Sequence, residues 1–258
     1  MGGQFWDGRA STLEDQAKGP FLNPVEMNNT KEGVIQAIRE ARYAGMFRMV
    51  YGSGSLSDVE TAYNFVAKAI AAFERTTMLN KFTSKFDYYL QGKATLTAQE
   101  LRGLRLFEDP AKGNCAACHP TTSADGVTPP LLTDFSYDNL GVPKNPEIEE
   151  LTGQDVPADL GLGVTVNDPA ENGKFKVSSL RNIAKTAPYA HNGYFKTLKD
   201  TVHFYNTRDV DPSWPAPEVP VNMNTDELGN LGLTSQEEDD IVAFLMTLTD
   251  GHSCRNCR

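Results

Sequence analysis

The residues best placed to do chemistry are Cys115-Ala116-Ala117-Cys118-His119. Two cysteines separated by two residues and followed at once by histidine have the spacing of covalent c-type haem attachment. Each thiol can form a thioether to a haem vinyl group, and the imidazole one turn later can bind the iron. CxxC pairs also bind zinc or cycle as redox disulfides. Zinc would need two further ligands at similar spacing, and the next several dozen residues offer none. A thioredoxin-like pair would need a βαβ setting, which the surrounding sequence lacks. The motif therefore points to one covalent haem c with His119 as an axial ligand. A second pair, Cys254 and Cys257, is followed by Arg258 instead of histidine. A local disulfide is its plainest reading, with half a metal site or a disordered tail as alternatives.

The elements that must position this motif read as helices. Thr97-Ala98-Gln99-Glu100 has the capping-box pattern, and Leu101, Leu104, Leu106 and Phe107 give the helix an apolar side that delivers Cys115. Downstream the chain is rich in loops, with Thr128-Pro129-Pro130, Gly141-Val142-Pro143 and Gly161-Leu162-Gly163 expected to wrap the haem edge. A short helix is expected over 198–205, and Thr234 to Glu237 caps a last helix carrying Ile241, Phe244 and Leu245. Upstream, the spacing of Val34, Ile38, Ala41 and Phe47 predicts one helix over 31–49. A second helix is expected over 59–73, with Ser57 as its N-cap. Gln91-Gly92-Lys93 is the expected domain boundary, giving domains 1–92 and 93–250 and a tail 251–258. The fold class is mainly α, without a notable strand-period stretch.

Length is sufficient for two modest domains. The net charge of −10 argues against nucleic acid and for a soluble protein that meets its partners electrostatically. No apolar run reaches membrane-span length; that over 241–248 is too short. The first residues lack the charged and apolar regions of a signal peptide. Since c-type haem is attached outside the cytoplasmic membrane, the expectation is a periplasmic protein whose export signal was removed, or a chain that begins inside a longer parent.

Phe5-Trp6-Asp7-Gly8-Arg9-Ala10, Asn23-Pro24-Val25-Glu26-Met27, the CAACH motif, Leu180-Arg181-Asn182 and the run from Thr186 to Gly193 together resemble the bacterial di-haem cytochrome c peroxidase family, which includes MauG. The resemblance covers nearly the whole chain with its motifs in the family's order. It implies a C-terminal c-type cytochrome domain plus the remainder of a second, N-terminal helical domain, whose own haem motif would lie before Phe5. One covalent haem c belongs to this chain, and a second to the full unit.

By position, the resemblance implies that Glu26 is the acid/base of a peroxide pocket, with Gln16 beside it. Heterolysis of hydrogen peroxide needs one oxygen deprotonated and the other protonated, which a carboxylate of raised pKa can do. Trp6 matches a tryptophan between the family's two haems. Read from residue type alone, Glu26 is a helix-end charge, Gln16 a surface amide and Trp6 core packing. The sixth ligand of the CAACH iron falls at Tyr205, with Met223 as the alternative; Tyr205 could equally be ordinary packing. His191 is a candidate neighbour of the haem, and His203 is expected at the surface. The backbone carbonyls of Thr186 and Pro188 match the family's calcium segment. The implied activity is electron transfer through the CAACH haem for reduction of hydrogen peroxide, or high-valent haem oxidation of a protein substrate; a mono-haem electron-transfer protein is the alternative. The implied partners are a small soluble donor such as a c-type cytochrome or cupredoxin, with a homodimer as the candidate assembly.

Overall fold

The computed structural model describes residues 3–123 and 125–253, which divide into two compact units between Lys81 and Phe82. The fold is mainly α, as expected.

In the first unit, α1 (Leu13–Leu22) starts at Thr12, whose side chain accepts the Asp15 N–H, and it carries Pro20 in its last turn. The expected helix over 31–49 is two helices, α2 (Lys31–Glu40) and α3 (Ala44–Tyr51), broken where Ala41 is extended. The break has a packing cause. In one straight helix Phe47 would lie roughly opposite Val34 and Ile38, yet all three enter one core with Ile35, Leu56 and Tyr63. α4 (Val59–Glu74) is capped by Asp58, which accepts the Thr61 N–H, instead of by Ser57. The Ser57 hydroxyl is used one turn back, donating to Gly54 O. The Tyr63 hydroxyl donates to Lys18 O at 2.5 Å and ties α4 to α1.

The second unit begins earlier than the expected boundary at residue 92. α5 (Lys85–Leu90) opens with a Ser84–Asp87 capping box. Its Phe86 is buried edge-on against Phe244, ring centroids 5.1 Å apart, and the Phe86 N–H donates to Thr247 O. Burial of one aromatic thus assigns this helix to the haem-motif unit. α6 (Ala98–Glu108) and α10 (Ser235–Met246) both carry the capping boxes read from sequence. They cross at Gly103, beside the Asp240 backbone and Phe244. Between them lie α7 (Pro146–Thr152), α8 (Leu162–Val166) and α9 (Leu198–Thr207), the last also capped by a box at Thr197 and Asp200. One short antiparallel pair, β1 (Tyr137–Asp138) with β2 (Phe175–Lys176), pins the long loops together. It is too short to leave an alternating pattern in the sequence. Phe107, Phe195, Phe204 and Phe244 fill the core that α6, α9 and α10 share. No helix among the described residues is long and apolar enough to cross a membrane. Cys254 and Cys257 lie outside the described residues.

The Gly103 crossing is a close backbone approach, since a Cβ there would overlap Asp240 O. Gly103→Ala should therefore destabilise the unit by about 1–3 kcal/mol, the usual cost of overpacking. A urea unfolding midpoint that matches wild type would refute this packing.

Candidate haem site

The loop after α6 turns sharply to present the motif. Asn114 takes a left-handed conformation (φ 50°), and Cys115–Ala117 form a single 3₁₀ turn. The His119 N–H returns to Cys115 O at 2.9 Å, so both cysteines and the imidazole sit on one short coil. His119 Nδ1 lies 2.8 Å from Leu132 O. A carbonyl can only accept, so Nδ1 carries the hydrogen and Nε2 keeps its lone pair for a metal. Burial lowers the imidazole pKa and keeps the ring neutral, only partly offset by the Leu132 bond and by Asp134. The Leu132 backbone is itself left-handed (φ 55°), an unusual state for a branched residue.

Both thiols are pushed up to about 12, Cys115 by burial and Cys118 by burial together with Glu227, Asp134 and Asp138. Each is therefore a neutral thiol at ordinary pH. Ala116, Leu140, Leu180 and Ile183 line the same apolar cluster as Cys115. Tyr205, on α9, joins that cluster from a distant part of the sequence. Burial first, with the nearby Asp138 carboxylate adding to it, raises its phenol. An imidazole with one nitrogen committed, two neutral thiols and a tyrosine packed against the same cluster are a donor set that fits covalent haem.

Met223 lies next to Asn224, whose amide reaches Asp138 and Glu227. The Met223 Sδ and Cε pack over Gly141, and it lines an open cavity of about 500 Å³ with Arg208, Trp214 and the prolines that follow. Beside Cys118 lie Asp138 and Glu227, with ligand atoms of the three within 4.8 Å of one another, and Asn224 donates to both carboxylates. Sequence reading missed this acidic rim, because no local spacing links positions 118, 138 and 227.

His191 stacks on Phe175, ring centroids 3.6 Å apart, with its Nε2 3.3 Å from Glu218 Oε2. The two side chains are each 8% exposed. His203 was expected at the surface, and its ring is indeed part-exposed, but Nδ1 lies 2.9 Å from the buried Glu238 carboxylate. Thr186 and Pro188 occupy an exposed turn ahead of Tyr189. In the first unit, Gln16 is half-buried on α1, Glu26 is exposed in the turn that follows it, and Trp6 is 43% exposed.

A CAACH turn closed by a carbonyl-bound histidine, beside the packed helices α6 and α10, has the arrangement of a c-type cytochrome unit. Comparison with known proteins extends this to the whole chain. A family model described as di-haem cytochrome c peroxidase matches residues 1–95. The methylamine utilization protein MauG of Paracoccus denitrificans is 38% identical over 96% of this chain and 68% of its own length. The cytochrome c peroxidase Ccp of Escherichia coli is 34% identical over 95% of this chain and 44% of its own. The diheme peroxidase BthA from Burkholderia thailandensis superposes with a TM-score of 0.85 at 35% identity, over 96% of this chain and 66% of that one. The chain belongs to the di-haem cytochrome c peroxidase family. It spans 44% to 68% of the length of these relatives.

The His191–Glu218 pair makes a pH prediction. Burial alone would raise the Glu218 carboxyl, but hydrogen bonds from His191, the Asp159 N–H and Asn192, with the imidazole's charge, hold it below its ordinary 4.5. A carboxyl depressed in the folded state stabilises fully above its unfolded value and loses that contribution as pH falls through the folded one. Thermal stability should thus decline below about pH 4.5, and Glu218→Gln should flatten the decline. An unchanged acid limb in the variant would exclude Glu218 as a contributor.

Proposed function

We propose that this chain carries the electron-accepting haem c of a peroxide-reducing oxidoreductase. Cys115 and Cys118 would hold the haem, and His119 and Tyr205 would be its axial ligands. The observation that carries the reading is the CAACH turn itself, with His119 Nδ1 committed to Leu132 O and Tyr205 packed against the same apolar cluster. Bound haem supplies one-electron storage and transfer. The chain's own groups do the rest. His119 stays neutral and presents Nε2. The Tyr205 oxygen is an anionic donor once bound, which favours the oxidised metal, whereas a methionine would raise the potential.

Reduction of one peroxide takes two electrons and two protons and yields two waters. Glu26 is proposed to move a proton from one peroxide oxygen to the other, with Gln16 orienting the molecule and Trp6 lying along the electron route. These three roles rest on the resemblance, in the FWDGRA and NPVEM segments. Asp134, Asp138 and Glu227 place negative charge around Cys118. They suit a small soluble donor with a basic face, a c-type cytochrome or cupredoxin, because opposite charge steers encounter. Carbonyls of Thr186 and Pro188 are proposed as calcium ligands. Covalent haem assembly, which takes place outside the cytoplasmic membrane, supports a periplasmic location. Names of relatives at similar identity include both MauG and cytochrome c peroxidases, so oxidation of a protein substrate is the second activity to assay.

The test is a pyridine haemochrome assay together with peroxide turnover driven by a reduced c-type cytochrome. Covalent haem with turnover is expected of the full di-haem unit; a full-length, haem-loaded unit that accepts electrons but never consumes peroxide would end the peroxidase reading. For the sixth ligand, Tyr205→Met should add a sulfur-to-iron band near the red edge of the ultraviolet-visible spectrum and raise the potential. That band in the unmutated protein would assign the iron to a methionine instead.

A further inference from the structure

Arg181, in the Leu180-Arg181-Asn182 stretch, has no part in the site as described, yet it is fully engaged. Arg181 Nη1 and Nη2 donate to Asp87 Oδ2 and Oδ1 at 3.1 and 2.9 Å. Its Nε and Nη2 donate to Pro130 O at 2.9 and 2.6 Å. The Asp87 side chain is 1% exposed and that of Arg181 12%. Asp87 is fixed in turn by the Ser84 capping box of α5, and the Phe82 ring lies 4.3 Å from the guanidinium carbon.

Pro130 opens a five-residue strap, 130–134, whose other edge holds the haem motif. After Pro130 O, the strap is gripped by Ser179 Oγ donating to Leu131 O at 2.7 Å and by the Leu180 N–H donating to Leu132 O at 3.3 Å. Thr133 Oγ1 donates to Val177 O. On the motif side, the Asp134 N–H donates to Cys118 O at 3.0 Å, and His119 Nδ1 donates to Leu132 O. Leu132, left-handed at φ 55°, sits between the two edges. A leucine keeps that backbone only where its surroundings over-determine it.

We propose that Arg181 is a positioning residue for the axial histidine. Paired with Asp87, it anchors the strap at Pro130 and so fixes the direction from which the Leu132 carbonyl meets His119. The planar fork matters here, because one guanidinium spans a carbonyl and both oxygens of a carboxylate; a lysine ammonium is a point charge and cannot. Orientation and basicity of a ligating imidazole follow its outer hydrogen-bond partner, so loosening the strap should be felt at Nδ1–H. This inference rests on the haem reading of His119.

The test uses the haem-loaded protein and follows solvent exchange of the His119 Nδ1 proton by paramagnetic NMR. Arg181→Lys should retain covalent haem and exchange that proton about tenfold faster, the scale set by losing a charge-assisted hydrogen bond. Arg102→Lys is the control, since Arg102 Nε pairs with the nearly buried Asp240 at 2.8 Å and joins α6 to α10 without touching the strap. It should lower the melting temperature and leave the exchange rate alone. Unchanged exchange in Arg181→Lys, or equal acceleration in both variants, would overturn the proposal. If Arg181→Lys fails to fold, Asp87→Asn must accelerate exchange or the proposal falls. Absence of covalent haem from the unmutated protein would instead overturn the haem reading, and this inference with it.

Discussion

The hydrogen bond from His119 Nδ1 to the carbonyl of Leu132 is the constraint on which the site depends. It decides which imidazole nitrogen is free, and it does so with a group that cannot donate. The acceptor belongs to a residue held in a left-handed backbone, on a strap whose carbonyls at 130, 131 and 132 are all taken up by groups from 179 to 181. The histidine is thus positioned from outside its own motif. The CAACH turn supplies the ligand, and residues some sixty positions later along the chain supply its aim.

Burial sets the chemistry of the same groups. The thiols of Cys115 and Cys118 are pushed up, the His119 imidazole is lowered, and the Tyr205 phenol is raised, all chiefly by loss of water. Every shift favours the neutral form, as expected where charge is poorly solvated. Carboxylates in the same unit behave differently because they have partners. Asp87 with Arg181 and Glu238 with His203, Asn206 and Lys199 lie below the ordinary range despite burial. Asp138 is the exception. Burial and the nearby Glu227 outweigh Asn224, and its carboxyl is raised. The edge of the site near Cys118 is therefore acidic and strained in charge, while the interior is neutral.

Much of the unit's outline was legible from local signals. The capping boxes at Thr97 and Thr234 mark real helix starts, because a side chain reaching a backbone N–H three residues on is a local event. The Ser84–Asp87 box is as clear in the sequence, but nothing local assigns its helix to one side or the other of the glycine at 92. Contacts 150 residues and more apart, from Phe86 to Phe244 and Thr247, place that helix. The break between α2 and α3 has no glycine or proline to announce it. It exists because Phe47 must turn into a core that Val34 and Ile38 already occupy.

By itself, the sequence determined the family and nominated the haem attachment residues, since both are carried by short runs whose meaning lies in residue type and spacing. Tyr205 and Met223 show its limit. Both are candidates for one iron by chain position; in the fold Tyr205 packs against the cluster around Cys115, and Met223 packs over Gly141 beside an open cavity. The acidic rim and the Arg181 anchor are likewise products of tertiary structure. They join residues 87, 130 and 181, or 118, 138 and 227, and no local pattern encodes a distance between loops that meet only when the core closes.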